Sequence, residues 1–314
     1  MSVKSENRVL HAAAGGKTKI KRSRGDLVFH CVNYLILGLV LVIILYPLYF
    51  IVIASISDPN AVQSGAVLLW PKDITFEGYR QILSYRSVWI GYRNTIIQTV
   101  TSTVFSVVVT MMTAYPMSRK NFLGKNVMLA FLMITMYFSG GLIPTYLQVK
   151  RLHLLNTLWA IILVGCISVY NIIISRTFLQ TNVPEELYEA AAIDGCSHFQ
   201  YFFKVVMPLS KALLAVLALY YGIGVWNNYF EAMIYLNDSD LYPLQLVLKN
   251  ILVSNQVEAE MMTSMDYETM EEKQRFVDLM KYGLLIVSTV PVLAVYPFLQ
   301  KYFVKGVMIG SVKG

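Results

Sequence analysis

Charge is scarce in this sequence. Asp, Glu, Lys and Arg make up 14% of it against 56% hydrophobic residues, and the mean hydropathy is +0.54. Soluble domains carry about 25% charged residues, so an ordinary water-facing globule is excluded and no nucleic acid is expected as a partner. Cysteine is rarer still. Cys31, Cys166 and Cys196 are an odd number, and their spacing offers neither a disulfide framework nor a metal site. The histidines, His11, His30, His153 and His198, are scattered and form no catalytic cluster. A phosphate-binding loop is missing too. Gly15-Gly16-Lys17-Thr18 ends like one, but the pattern needs a glycine at the position held by His11. No internal repeat relates the first half of the chain to the second.

What is present is a set of long apolar runs. Crossing about 30 Å of hydrocarbon takes roughly 20 apolar residues in a helix. Six stretches qualify: Cys31–Ile53, Thr95–Tyr115, Val127–Tyr146, Leu158–Phe178, Ala212–Phe230 and Gly283–Val304. Each is free of Asp, Glu, Lys and Arg well inside its core. Backbone groups in lipid must be satisfied within the segment, so the expected fold is an all-α integral membrane protein with six transmembrane helices.

Residues 1–30 are basic (Lys17, Lys19, Lys21, Arg22, Arg24) and lack a small-residue cleavage site after the apolar run. They read as a cytoplasmic tail and not as a cleavable signal. Lys and Arg then recur between the second and third spans, between the fourth and fifth, and after the sixth, as at Arg119, Lys120, Lys204, Lys211 and Lys305. Most acids lie in the opposite segments, including the run from Glu258 to Asp278. The asymmetry places both termini in the cytoplasm. The first external segment, Ser55–Arg93, is expected to hold short helices on the membrane surface, with Trp70 and Trp89 as interfacial anchors. The second, residues 231–281, is the longest soluble piece, and Met265–Tyr282 within it reads as a helix. It serves either as a surface for an external partner or as a solvated cover.

One polar stretch stands between the fourth and fifth spans, on the cytoplasmic side. Pro184 fits a first helical position, and Glu185 and Glu186 occupy the first turn, where the helix dipole favours negative charge. Ala190, Ala191 and Ala192 are strong helix formers that leave a small, smooth face. Gly195 can take the left-handed conformation that stops the helix. Phe199, Phe202, Phe203 and Val206 then give an apolar face at helical spacing, and Met207-Pro208 is expected to end that second helix.

Glu189-Ala190-Ala191, three residues, Gly195, nine residues, Val205 and then Met207-Pro208 resembles the EAA loop of ABC-transporter permease subunits, and Asp194 before the glycine fits. Cys196 stands where a small residue is common. The likeness extends along the chain through Tyr115-Pro116-Met117-Ser118-Arg119, Phe138–Tyr146, Trp226–Phe230, Tyr242–Gln245 and Tyr296–Phe303 with Lys305–Gly314. It is similar to the carbohydrate-importer, MalG-like branch and its LplC/YtcP-like subgroup.

The resemblance implies a type I ABC importer permease fold in a bacterial cytoplasmic membrane, with residues 31–304 as the permease domain and residues 182–208 as its coupling loop. It implies a second homologous permease subunit, two cytoplasmic ABC ATPases that hydrolyse ATP with Mg, and an extracellular or periplasmic solute-binding protein. This chain would bind no cofactor and carry no ATPase site. Glu185, Glu186, Glu189, Ala190, Ala191, Asp194, Gly195 and Pro208 would form the ATPase-coupling site, with Glu189 as ion-pair partner of an ATPase arginine. The tail 305–314 either reaches between the ATPases or is a solvated basic tail.

For the solute, Tyr220, Tyr221, Trp226, Asn227, Asn228 and Tyr229 combine aromatic faces with neutral amides, which suits sugars. An interfacial aromatic belt accounts equally well for Trp226 and Tyr229. The expected cargo is an oligosaccharide. The alternative is an ion-coupled secondary transporter, a class that tends to show inverted repeats and intramembrane acids. This sequence shows neither.

Overall fold

The computed structural model describes residues 24–261, 275, 277, 278 and 280–297. Every regular element among them is a helix. Two compact units are distinguished, Met1–Ile51 and Val52–Gly314. Helix α1, Arg24–Ser55, supplies the described part of the first, and Pro47 lies inside it.

In the second unit α2 (Pro59–Gln63) is capped by Asp58, whose side chain accepts from the Asn60 N–H. Helix α3 (Glu77–Ser84) leads into α4 (Arg86–Ser118). Short helices are thus present where they were expected, and the Trp89 Nε1–H donates to the Leu83 carbonyl at 2.9 Å. Asp58 pairs with Arg275 at 2.6 Å, and Gln63 donates to Asp278, so the segment 55–93 is tied to the end of the segment 231–281. Most of the expected Met265–Tyr282 helix, the tail 1–23 and the segment 298–314 lie outside the described residues.

Helix α4 is 33 residues long, beginning nine residues before the expected Thr95. The third expected span, Val127–Tyr146, is instead two helices, α5 (Lys125–Tyr137) and α6 (Leu142–Arg151), bent by 112°. The cause is local. Gly141 sits at φ +86°, a conformation a side chain resists, and Gly140-Gly141 leaves nothing to hold the run helical. The fourth, Leu158–Phe178, is likewise divided, into α7 (Leu158–Leu163) and α8 (Val169–Asn182), around Gly165 at φ +77°. The Ser168 hydroxyl restarts the helix by accepting from the Asn171 N–H at 3.3 Å.

After α9 (Glu185–Ile193) comes α10 (His198–Leu209), bent by 81° from α11 (Lys211–Trp226). Helix α11 ends short of the expected Phe230, because Asn227 caps it and its amide returns to the Ile223 carbonyl. Helices α12 (Phe230–Tyr235), α13 (Leu244–Met261) and α14 (Met280–Pro297) complete the described chain. Among the described residues three helices are long and apolar enough to cross a membrane, or five if each bent pair is one span. The expected fourth span is absent from that count, since α8 has only 14 residues.

Three cores hold the second unit. The first joins α4 (Met111, Ala114, Met117), α8 (Ile172, Leu179), α10 (Tyr201, Phe202, Val206) and α11 (Leu213, Leu217). The second packs Val88 and Trp226 against Leu244, Val247, Met280 and Leu284, and the third packs Val149 and Ile161 against Tyr235 and Leu246. Lipid is as apolar as leucine, so close packing and interhelical hydrogen bonds must supply the specificity. Helix α4 does so with a stripe at four-residue spacing: Asn94, Gln98, Ser102, Ser106 and Thr110, all buried. Asn94 Nδ2 donates to the carbonyls of Asp240 (2.7 Å) and Tyr242 (3.0 Å), and Gln98 Nε2 to that of Leu241 (3.2 Å). The Leu244 N–H donates to the Thr95 hydroxyl at 2.7 Å. Gly91 completes this clasp, since a Cβ there would lie 3.0 Å from the Leu244 Cα.

Asn94→Ala should therefore destabilise the fold by about 1–2 kcal/mol and expose the segment 236–243 to protease. Unfolding in detergent with limited proteolysis measures both, and an unchanged digestion pattern refutes the clasp.

Candidate functional site

The hairpin 182–208 is built from local signals. Pro184 takes the N-cap position at ψ 149°, one residue earlier than its expected place, so α9 begins at Glu185. At the other end the Gly195 N–H donates to Ala192 and the Cys196 N–H to Ala191, a Schellman arrangement that satisfies the last carbonyls. It requires the left-handed Gly195, at φ +73°, and nothing lies within 4 Å of where its Cβ would be. The glycine is there for its backbone and not for space. Asp194 is the C-cap.

Helix α10 opens with a capping box. The Ser197 hydroxyl accepts from the Gln200 N–H, and the Ser197 N–H donates to the Gln200 side chain. Ser-x-x-Gln was the legible signal for it. The stop expected at Met207-Pro208 falls one residue later, at Leu209. Pro208 cannot donate to Lys204 and its ring crowds that carbonyl, and the helix passes through by widening into a π-turn, Phe202–Val206. Of the four expected apolar residues, Phe202 and Val206 are buried with Tyr201, while Phe199 and Phe203 are exposed.

Arg119, just past the end of α4, fastens this hairpin. Its Nη2 lies 3.0 Å from the Glu185 carboxylate, an ion pair without an aligned hydrogen bond. Its guanidinium stands 4.0 Å over the Tyr188 ring and 5.7 Å from the rings of Tyr115 and Tyr201. Tyr188 in turn stacks on His198. Sequence reading used Arg119 for topology and as the end of the matching piece Tyr115–Arg119, and gave it no part in the hairpin. Glu185 is thus engaged internally, and Ala191 packs against the core. Glu186, Glu189, Ala190, Asp194 and Ile193 face outward, the last 87% exposed.

The six pathway candidates separate. Tyr220, Tyr221 and Asn228 line a cavity of about 270 Å³ with Ser102, Ser106, Asn171 and Glu231. Trp226 does not. It is 8% exposed in the second core, and its Nε1–H donates to the Ser288 carbonyl, so it belongs neither to that cavity nor to an interfacial belt. Asn227 is an exposed helix cap, and the Tyr229 ring lies beneath Lys249 at 5.5 Å. The Tyr221 hydroxyl is taken up by Thr110 (2.7 Å) and the Ser168 N–H (3.2 Å). Glu231 was missed, as the first residue of an external segment. Its carboxylate accepts from Asn228 at 2.6 Å, and the Asn-x-x-Glu spacing was its signal.

A bundle of broken apolar helices with a polar cavity between them defines a membrane transport component. Residues 12–309 match the family described as binding-protein-dependent transport system inner membrane component, and the chain belongs to it. It is 38% identical to Protein LplC of Bacillus subtilis (strain 168), over 93% of this chain and 97% of that protein. It is 36% identical to the polygalacturonan/rhamnogalacturonan transport system permease protein YtcP of the same organism, over 91% and 99%. A crystal structure of a bacterial ABC transporter involved in the import of the acidic polysaccharide alginate contains a chain that superposes with a TM-score of 0.79. Identity there is 33%, covering 90% of this chain and 99% of that one. The fold is that of an ABC importer permease, and the ion-coupled alternative falls.

Arg119→Ala should cost about 1–3 kcal/mol, since it strands Glu185 and empties the aromatic cage. The thermal midpoint in detergent should fall, with Glu185→Gln giving a smaller drop. An unaltered midpoint for Arg119→Ala would show that the cage does not hold the hairpin.

Proposed function

We propose that this chain is the membrane-spanning permease subunit of an ATP-driven oligosaccharide importer in a bacterial cytoplasmic membrane. It forms half of the pathway beside a second, homologous permease. Two cytoplasmic ABC ATPases hydrolyse ATP with Mg, and an extracellular or periplasmic solute-binding protein delivers the sugar. The observation that carries the reading is the hairpin 182–208. It is anchored to α4 through Arg119 and turns Glu186, Glu189, Ala190 and Ile193 outward. An anchored helix with a small-residue face and unpaired acids suits docking in a cleft with basic side chains. Glu189 is the ion-pair partner of an ATPase arginine, and Asp194, Gly195 and Pro208 shape the hairpin that presents it.

Six spans with both termini inside fit this role if α5–α6 and α7–α8 each count as one broken span and α11 is the core of the fifth, α10 belonging to the hairpin. Residues 31–304 then form the permease domain, with residues 231–281 outside and the tails 1–30 and 305–314 inside. The chain binds no cofactor of its own and does no hydrolysis. The oligosaccharide cargo is supported by the relatives, whose names refer to polygalacturonan, rhamnogalacturonan and alginate transport.

Glu189→Lys should lower ATP-dependent sugar uptake in membrane vesicles at least about tenfold, the loss expected when a docked ion pair becomes a like-charge clash. The two permeases should still copurify. Normal uptake by that variant would refute the docking assignment.

A further inference from the structure

The cavity of about 270 Å³ lies among α4, α7, α8 and α11. Its wall is polar for a place between apolar helices. Ser102 is 2% exposed, and its hydroxyl has no hydrogen-bond partner among the described residues. Asn171 is 5% exposed; its backbone is bonded, but its side-chain amide makes no hydrogen bond among them. Glu231 is held in place from one side only. Its N–H donates to Asn228 Oδ1 at 3.2 Å, and its Oε2 accepts from Asn228 Nδ2. Its Oε1 stands beside Gly165, 3.7 Å from where a Cβ would be.

Unmet donors and acceptors in one wall are costly unless something fills them. A solute rich in hydroxyls can both donate to Glu231 and accept from Asn171. The ring of Tyr220 and the side chains of Ile161, Ile162 and Val225 offer the apolar contact that a sugar's C–H face needs. The volume is below the range of drug-sized pockets, so it suits one ring and not a chain of them. The wall also has a charge character. Among the described residues it contains no Lys, Arg or His, and Glu231 is its one carboxyl group. A uronate entering here would find no cation to pair with and an acid facing it.

We propose that this cavity is a subsite for one neutral sugar ring, with Glu231 as the residue that discriminates against uronate units. The proposal deepens the importer reading and rests on it, and it sets this chain apart from the relatives named for polygalacturonan and for the acidic polysaccharide alginate, whose units are uronates.

The test is ligand-observed NMR on the complete permease–ATPase complex, with galactotriose and trigalacturonate as probes. Wild type should show saturation transfer to the C–H protons of galactotriose and little to trigalacturonate. Glu231→Gln keeps an acceptor for Asn228, so it isolates the acid. It should weaken galactotriose binding on the order of tenfold, the loss of one well-placed hydrogen bond, and narrow the gap between the probes. Ser102→Ala separates a ligand site from a structural or water-filled one. Loss of an unpartnered hydroxyl leaves the thermal midpoint unchanged or raised, so weaker galactotriose binding at an intact midpoint supports contact with the sugar. The proposal is overturned if neither probe binds, if both bind wild type equally, if trigalacturonate binds better, or if both variants bind galactotriose like wild type. Failure of the importer reading looks different: no ATPase copurifies, or uptake proceeds without ATP.

Discussion

The polar stripe of α4 is the constraint on which the rest depends. In a bilayer, leucine gains nothing by leaving lipid for protein, so an apolar helix has little reason to choose one neighbour over another. Asn94, Gln98, Ser102, Ser106 and Thr110 give α4 that reason. Each buried amide or hydroxyl must meet a partner or a cavity, and the partners are spread along its length. Asn94 and Gln98 take the carbonyls of the segment before α13. Thr110 takes the hydroxyl of Tyr221 on α11. Between them, Ser102 and Ser106 are left for the cavity.

The same helix accounts for the breaks in its neighbours. Irregular backbone at membrane depth is tolerated where it lines a cavity or is met by other protein groups. The gap between α7 and α8 is met in both ways. Gly165 and Ser168 line the cavity, and the Ser168 N–H donates to the Tyr221 hydroxyl, which is itself held by Thr110. Tyr221 therefore stabilises the break, and its ring is committed to the first core. Its hydroxyl is not free for a sugar. Tyr220, one residue earlier, is 49% exposed and free of that duty.

How legible each part was depends on how local its causes are. The hairpin 182–208 was readable because its first helix is set by nearest neighbours: two acids in the first turn, three alanines and one glycine at positive φ. The ends of that hairpin shifted by a residue, as caps commonly do. The third and fourth spans were misread as continuous because hydropathy averages over a window and is blind to the backbone angle at Gly141 or Gly165. Gly140-Gly141 followed by Pro144 was the available punctuation. The four-residue spacing of the α4 stripe was also in the sequence. Its partners, more than a hundred residues away, were not. Trp226 and Asn227 looked like sugar contacts by type alone, and packing and capping had already claimed them.

Helix α4 is thus the one described element that bears on all three working parts. At 33 residues it is about 50 Å long, enough to run from the clasp at Asn94 past Ser102 and Ser106 to Tyr115 and the Arg119 cage. A hairpin displaced as proposed would pull on Arg119, and α4 would transmit that pull along a backbone whose one proline, Pro116, lies near its end. The cavity lies partway along that line. Its other walls are the broken segments, which hinge more readily than a continuous span. Stiffness in α4 and pliancy opposite it follow from the same sequence choices: a polar stripe with no glycine beyond Gly91 on one side, and glycines at positive φ on the other. A uniformly rigid bundle could carry the pull but could not change the cavity, and a uniformly soft one could not carry the pull.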